Sequence, residues 1–89
     1  MREVEYSGKF HKDFKRMKKR GVELERLRIV IGKLRRGEEL YPHHQDHLLQ
    51  GRSDPERECH ITPDWLLVYV LEDDVVKLVR TGTHADLFK

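Results

Sequence analysis

The first 36 residues show a short alternating segment followed by a helical repeat of apolar positions. Charged and apolar residues alternate from Glu3 to Tyr6, which predicts a short strand. The helical period that follows is carried by Phe10, Phe14 and Met17, and lysine and arginine fill most positions between them. We therefore expect a basic amphipathic helix that begins after the N-cap residue Ser7 and ends at Gly21.

A second helical period begins after Gly21 and closes at Gly37 in the same way. Its apolar positions are Leu24, Leu27, Ile31 and Leu34. Because the connection between the two periods is so short, the helices are expected to lie side by side and antiparallel.

The pattern changes in the second half of the chain from helical to extended. Residues 38 to 55 are polar and contain prolines and glycine, so they are expected to be mostly loop. Glu56 to Ile61 alternates, whereas Trp65 to Leu71 is apolar on both faces, as a central strand is. A tight turn at Asp73 and Asp74 leads into Val75 to Thr81. The order predicts an α+β domain with a helical hairpin packed on a small, twisted antiparallel sheet.

Length and composition narrow the class of protein. A chain of 89 residues supports one domain, and the single cysteine, Cys59, excludes an internal disulfide. Its apolar runs are shorter than the roughly 20 residues that a membrane span needs, and the N-terminus does not resemble a signal peptide. We therefore expect a soluble cytoplasmic protein with no membrane association.

The small net charge of +2 hides two halves of opposite sign. Residues 1 to 36 contain thirteen Lys/Arg and five Asp/Glu, a net charge of +8, and residues 37 to 89 carry −6. A basic helical half favours a polyanion such as a nucleic-acid backbone, although solvated surface lysines are also common. The candidate RNA-binding residues are Lys9, Lys12, Lys15, Arg16, Lys18, Lys19 and Arg20.

The number of histidines is the most unusual feature of the composition. The six histidines are His11, His43, His44, His47, His60 and His84. Because imidazole both gives and takes protons near neutrality, two histidines at one phosphodiester can act as general base and general acid, although most surface histidines do neither. A metal site from His43 to His47 lacks a recognised ligand spacing, so neither a metal nor another cofactor is expected. Cys59 alternates with His60 and is expected to be a buried small residue rather than a nucleophile.

For two aromatic residues, the sequence allows either base stacking or ordinary packing. Trp65 begins a strand and Phe88 lies near the C-terminus, and both positions suit stacking on unpaired bases. Ordinary packing at the edge of the sheet is an equal alternative for each.

Four segments together resemble the YafQ toxins of the RelE superfamily, which belong to bacterial toxin–antitoxin systems. They are EYSGKFHKDFK (Glu5 to Lys15), QDHLLQG (Gln45 to Gly51), RECHITPDWLLVY (Arg57 to Tyr69) and RTGTHADLF (Arg80 to Phe88). The match extends over almost the whole chain, and the predicted order of elements agrees with a RelE-like fold. Glu58 stands where the family has aspartate, and Leu48 where it has proline.

The resemblance implies a ribosome-dependent endoribonuclease that cleaves mRNA in the decoding site. Its partners would be the 70S ribosome, mRNA and a DinJ-like antitoxin, with operator DNA contacted only through that antitoxin. The catalytic candidates carried over by position are His47, His60, Asp64 and His84. The substrate-binding candidates are Glu58, Trp65, Arg80 and Phe88. Attack by the ribose 2′-hydroxyl needs no metal, with His84 as general acid and either His47 or His60 as general base.

Two other classes of function remain open from the sequence. ParE-like relatives share the fold and inhibit DNA gyrase, and a basic protein of this size can also bind ribosomal RNA without cutting it. A gyrase inhibitor has no use for a cluster of proton-transfer groups, so the histidines favour the nuclease.

Overall fold

The computed structural model describes residues 1–88 and has the predicted order of elements. Its first part consists of strand β1 (Glu3–Tyr6) and helices α1 (Gly8–Lys19) and α2 (Leu24–Arg35). Its second part consists of β2 (His47–Leu48), β3 (Arg57–Thr62), β4 (Trp65–Leu71), β5 (Val75–Gly82) and a one-turn helix α3 (His84–Leu87). The intervening segment is loop apart from a 3-10 turn at Pro42–His44, as its polar composition predicts.

The helices begin and end where the sequence predicts. The Ser7 hydroxyl accepts a hydrogen bond from the backbone N–H of Phe10 at 2.9 Å, which satisfies one of the free donors in the first turn of α1. Gly21 and Gly37 follow the two helices with φ angles of 80° and 73°. Glycine adopts this left-handed conformation without steric cost, so each helix stops there.

The five strands form one sheet in the order β1-β5-β4-β3-β2. Strands β2 to β5 are antiparallel, as expected, but β1 pairs with β5 in parallel, so the sheet is mixed rather than antiparallel. The parallel pair arises because the helical hairpin separates β1 from the meander, whose last strand returns beside β1. Strand β4 lies in the middle, which explains its apolar residues on both faces.

The helices cover one face of the sheet. Phe10 and Met17 of α1 and Leu27, Val30 and Leu34 of α2 pack with strand residues that include Cys59, Leu67, Tyr69, Val76 and Leu78. Cys59 is fully buried, and desolvation raises the pKa of its thiol, so the thiolate nucleophile is disfavoured. The opposite face of the sheet is the one on which the site residues lie.

Trp65 belongs to the core and is not a stacking surface. Its side chain is 2% exposed, and its indole N–H donates to the Thr81 hydroxyl at 2.8 Å. The expectation that Trp65 stacks on a base is therefore wrong, because a base cannot reach the ring. A position at the start of a strand does not show which way the side chain points. Here the ring packs in the core and bonds to Thr81 of β5.

Across residues 1–88, each helix falls short of the length and apolar character that a membrane crossing requires.

Candidate active site

Strand register brings site residues from distant parts of the chain into one row. His47 pairs with Glu58 across β2 and β3, and Glu58 pairs with Val68 across β3 and β4. Val68 in turn pairs with Arg80 across β4 and β5. Because register partners share a face of the sheet, His47, Glu58, Val68 and Arg80 form a row on the face opposite the helices.

A second row runs beside the first and leads to α3. His60 pairs with Leu66, and Leu66 pairs with Gly82 at the end of β5. His84 begins α3 two residues later. The imidazole rings of His60 and His84 consequently approach to a centroid distance of 5.8 Å.

Glu58 is the centre of this arrangement. One of its carboxylate oxygens lies 3.5 Å from Nε2 of His47. Ligand atoms of Glu58, His60 and His84 also lie within 4.8 Å of one another. The carboxylate is 6% exposed. Three imidazoles therefore surround one largely desolvated carboxylate, and a charge placed there acts strongly on all of them.

The loop before β2 positions His47. Its Nδ1 lies 2.8 Å from the backbone oxygen of Gln45, a residue with a left-handed φ of 49°. The next residue, Asp46, accepts hydrogen bonds from the guanidinium of Arg57 and from the hydroxyl of Tyr69. The Nδ1 contact and the Asp46 anchor direct Nε2 of His47 towards Glu58.

A small cleft of about 190 Å³ adjoins the row at Arg80. Lys9, Arg52 and Arg80 line it together with one carboxylate, Glu56, which pairs with Arg52 at 3.2 Å. A hydrogen bond to Asp13 raises the pKa of Arg80, which keeps its guanidinium charged. Phe88 lines the same cleft, is 42% exposed and lies 6.2 Å from the ring of His84. Cations beside an exposed ring suit a phosphate and its attached base.

The sequence matches, over residues 2–89, the family described as a bacterial toxin of type II toxin–antitoxin system, YafQ. The chain belongs to the YafQ family.

Individual YafQ relatives agree with this assignment along the whole chain. The mRNA interferase toxin YafQ of Escherichia coli K12 is 40% identical over 88 residues, which is 98% of this chain and 96% of the relative. The crystal structure of the E. coli DinJ-YafQ complex matches with a TM-score of 0.91 and 39% identity, and it covers 100% of both chains. The predicted class, an endoribonuclease toxin with a RelE-like α+β fold, is confirmed by these relatives.

Toxins of Helicobacter pylori are similar as well. The copper-bound L66S mutant toxin and a metal-bound toxin each match with a TM-score of 0.93, at 43% and 42% identity. Each comparison covers 99% of this chain and 100% of the other.

The YafQ fold brings most of the predicted site residues together. His47, His60, His84 and Glu58 meet on the sheet, and Arg80 and Phe88 line the adjoining cleft. Asp64 lies apart, exposed on the turn between β3 and β4. Its charge acts on Arg20 and raises the pKa of that guanidinium together with Asp86, the larger cause.

Two of the predicted RNA-binding residues of α1 form ion pairs with carboxylates. Arg16 and Arg20 are ion-paired to the carboxylates of Asp13 and Asp86, and their side chains stay 42% and 43% exposed. The other predicted RNA-binding residues are exposed as well: Lys9, Lys12, Lys15, Lys18 and Lys19.

Sequence reasoning missed Asp13, Asp86 and Arg52, and it considered Asp46 only as a possible metal ligand. Asp13 had a visible signal, because it lies on the apolar stripe between Phe10 and Met17 and a charge there has to be paired. Asp86 also had one: Thr83 with Asp86 three residues later is a capping box. Asp46 and Arg52 lie in the loop before β3, where no hydrophobic periodicity predicts which way a side chain points.

Proposed function

We propose that this chain cleaves mRNA bound in the decoding site of the cytoplasmic ribosome, by acid–base catalysis on the sheet face around Glu58. The observation that carries the proposal is the meeting of three imidazoles at one buried carboxylate beside a cationic cleft. Proton transfer at a phosphodiester requires such groups, whereas inhibition of gyrase by binding does not.

The proposed reaction uses the ribose 2′-hydroxyl as nucleophile. The imidazole of His60 takes the 2′-hydroxyl proton as the bond from O2′ to phosphorus forms. The bond from phosphorus to O5′ then breaks, and the His84 imidazolium donates a proton to that oxygen. The products are a 2′,3′-cyclic phosphate and a free 5′-hydroxyl, and the need for a 2′-hydroxyl restricts the enzyme to RNA.

His60 is the better candidate for the general base because of its surroundings. It is half-buried beside Glu58, whose carboxylate stabilises the imidazolium that forms on proton transfer. Nδ1 of His47 is directed to the Gln45 carbonyl, so the cationic form of His47 donates one N–H there and directs the other to Glu58. In that form His47 contributes positive charge next to the phosphate.

The remaining roles concern the substrate. Arg80, Lys9 and Arg52 bind the phosphate group, and Phe88 stacks on a base beside it. Asp64 lies outside the cluster, so we assign it contact with the substrate or the ribosome instead of proton transfer. The exposed lysines of α1 bind ribosomal RNA by neutralising its phosphates.

A DinJ-like antitoxin is the proposed protein partner. Relatives at 39% identity have been solved in DinJ-YafQ complexes that this chain matches over at least 98% of the YafQ length. We expect any contact with operator DNA to be made through that antitoxin, as the sequence resemblance implies.

A metal ion is not assigned a step in the reaction. One carboxylate and two imidazoles are a donor set that suits Cu²⁺ or Zn²⁺, so Glu58, His60 and His84 fit such an ion. A bound ion would be a Lewis acid for a phosphate oxygen. It would also occupy the imidazole nitrogens that transfer protons, so the proposed enzyme works with those nitrogens free.

The proposal is tested by primer-extension mapping of mRNA after induction of the protein, and by cleavage of mRNA with and without 70S ribosomes. New cleavage sites within translated codons, and cleavage only with ribosomes, are expected. EDTA should leave the rate unchanged once the magnesium that ribosomes require is restored. Growth arrest without new cleavage sites would overturn the proposal and favour gyrase inhibition.

A further inference from the structure

Helix α3 carries His84 but is only four residues long, so something outside it must fix its orientation. Asp86 of α3 makes the contact that fixes it, with Arg20 at the end of α1. Its carboxylate accepts two hydrogen bonds from the guanidinium of Arg20, at 2.7 and 3.1 Å. The two-point contact sets the direction of the carboxylate as well as its distance.

The same carboxylate ties α3 to the end of β5. Asp86 accepts a hydrogen bond from the backbone N–H of Thr83 at 2.9 Å, and its own N–H donates to the Thr83 hydroxyl at 3.2 Å. Arg20 and the Thr83 N–H together hold the pKa of Asp86 well below its ordinary range. The carboxylate is therefore charged wherever the protein is folded near neutral pH.

A second arginine of α1, Arg16, links Asp86 to the core. Arg16 lies 4.0 Å from Asp86 and donates to Asp13 at 2.8 Å. Asp13 is 3% exposed and also accepts hydrogen bonds from the Arg80 guanidinium and from the Thr81 backbone. One chain of ion pairs thus joins α1, β5 and α3. It begins at Arg80 and ends at Asp86, two residues after His84.

Gly82 makes the close approach of Asp86 possible. Its φ is 154°, and a Cβ at this position would lie 2.9 Å from the Asp86 carboxylate. The chain thus leaves no room for a side chain at the point where the strand ends and α3 begins.

We propose that Asp86 is a positioning residue for His84, held in place by Arg20 and Arg16 of α1. The proposal rests on the proposed function, in which His84 protonates the leaving oxygen. The role of Arg20 is then to orient the general acid through Asp86. A displacement of about 1 Å is enough to lower the efficiency of such a group strongly.

The test compares Asp86→Asn, Arg20→Gln and the double variant in cleavage of mRNA on 70S ribosomes. The amide oxygen of Asp86→Asn still accepts from the Thr83 N–H, so the capping contact is kept while the charge and the two-point contact with Arg20 are lost. Each single variant should lower kcat at least 10-fold and leave KM for the mRNA-programmed ribosome within twofold. The double variant should be no slower than the slower single variant, and Arg20→Lys should recover part of the lost rate.

The matched control is the exposed ion pair formed by Arg26 and Glu23 at 3.2 Å, at the start of α2. Arg26→Gln and Glu23→Gln should leave kcat and KM unchanged. All variants are compared at a temperature at which circular dichroism shows them folded.

A second readout separates positioning from general stability. The ring resonances of His84 in NMR spectra should shift or broaden in Asp86→Asn and Arg20→Gln, while those of His11 on α1 stay unchanged. Unchanged kcat in both variants, or a raised KM confined to Arg20→Gln, would overturn the proposal. Unchanged His84 resonances would also overturn it, and this result is obtained even if the wild-type protein proves not to cleave mRNA.

Discussion

Nε2 of His47 and a carboxylate oxygen of Glu58 lie 3.5 Å apart, and the two residues are register partners on β2 and β3. A two-residue strand that contains an exposed histidine has little stability of its own. Its pairing with β3 brings His47 to the carboxylate that also lies within 4.8 Å of ligand atoms of His60 and His84. Glu58 therefore has a larger part in the site than the substrate contact that the sequence suggested.

Replacement of Glu58 tests this central role. Glu58→Gln keeps the shape of the side chain and removes the charge, so the imidazolium that forms during proton transfer loses its stabilising partner. We expect cleavage on the ribosome to slow by roughly 10²-fold or more, in the range of a lost acid–base group. Glu72→Gln removes an exposed carboxylate that pairs with Lys77 at the end of the β4–β5 hairpin, and single-turnover rates should not change in this control.

His84→Ala and His47→Ala should relieve growth arrest while binding of the antitoxin stays nearly the same. Loss of the general acid at His84 should slow cleavage by roughly 10²- to 10⁴-fold. Both imidazoles are exposed, so the fold does not depend on them. Calorimetric titration with the antitoxin and growth after induction are the two measurements. Full toxicity of both variants would show that the site is assigned to the wrong residues.

Trp65→Phe should lower stability rather than catalysis. The change removes the indole N–H that bonds to Thr81 and leaves a smaller ring in a buried position. The free energy of unfolding should fall by about 1–2 kcal/mol, which lowers Tm by roughly 4–16 °C in a domain of this size. The folded variant should cleave at the wild-type rate. A large loss of rate with an unchanged melting curve would restore the stacking role.

Phe88→Ala should have the opposite effect. The ring is 42% exposed, so its loss should leave the melting temperature within a degree or two. Stacking on a base contributes about 1–3 kcal/mol, so kcat/KM should fall by roughly 5- to 150-fold, and Phe88→Tyr should keep most of the rate. Equal rates for the alanine variant and the wild type would place the substrate base elsewhere.

His44 should make folding stability depend on pH. Burial lowers its pKa from the ordinary 6.5, and its Nδ1 accepts a hydrogen bond from the Tyr41 backbone at 3.2 Å. Below about pH 6.5 the unfolded chain takes up a proton that the folded state resists, so stability is full above this pH and falls as the pH decreases. The loss is at most about 1.4 kcal/mol per pH unit.

The variant His44→Asn isolates this effect. Its amide oxygen replaces Nδ1 as acceptor and does not titrate in this range. Urea unfolding from pH 7.5 to pH 5 should show a steeper loss of stability in the wild type than in the variant. Parallel curves would mean that His44 does not resist protonation in the folded state.

Local patterns in the sequence were sufficient to predict most of the fold. The helical periods, the N-cap at Ser7 and the two glycines at helix ends are short-range features, and each is found as predicted. The parallel pairing of β1 with β5 was missed because it depends on which edge of the sheet is free after the hairpin packs, which no local pattern specifies.

The candidate site could be predicted by residue type but not by arrangement. The histidines were found from their chemistry and from family resemblance, yet nothing in the sequence places Glu58 between them, because that follows from two separate strand registers. The ion pairs of Arg16 and Arg20 were not foreseen, because a charge pattern does not reveal which cations have carboxylate partners in the fold.

Gly82 carries no reactive group, yet it limits the geometry of the groups that react. It has no side chain and is buried at the junction of strand and helix, yet the Cβ of any other amino acid there would lie 2.9 Å from the Asp86 carboxylate. In a library of all substitutions, position 82 should tolerate change as poorly as His84 does. A substitution at Gly82 would thus act on the chemistry only through the position of Asp86 and the start of α3.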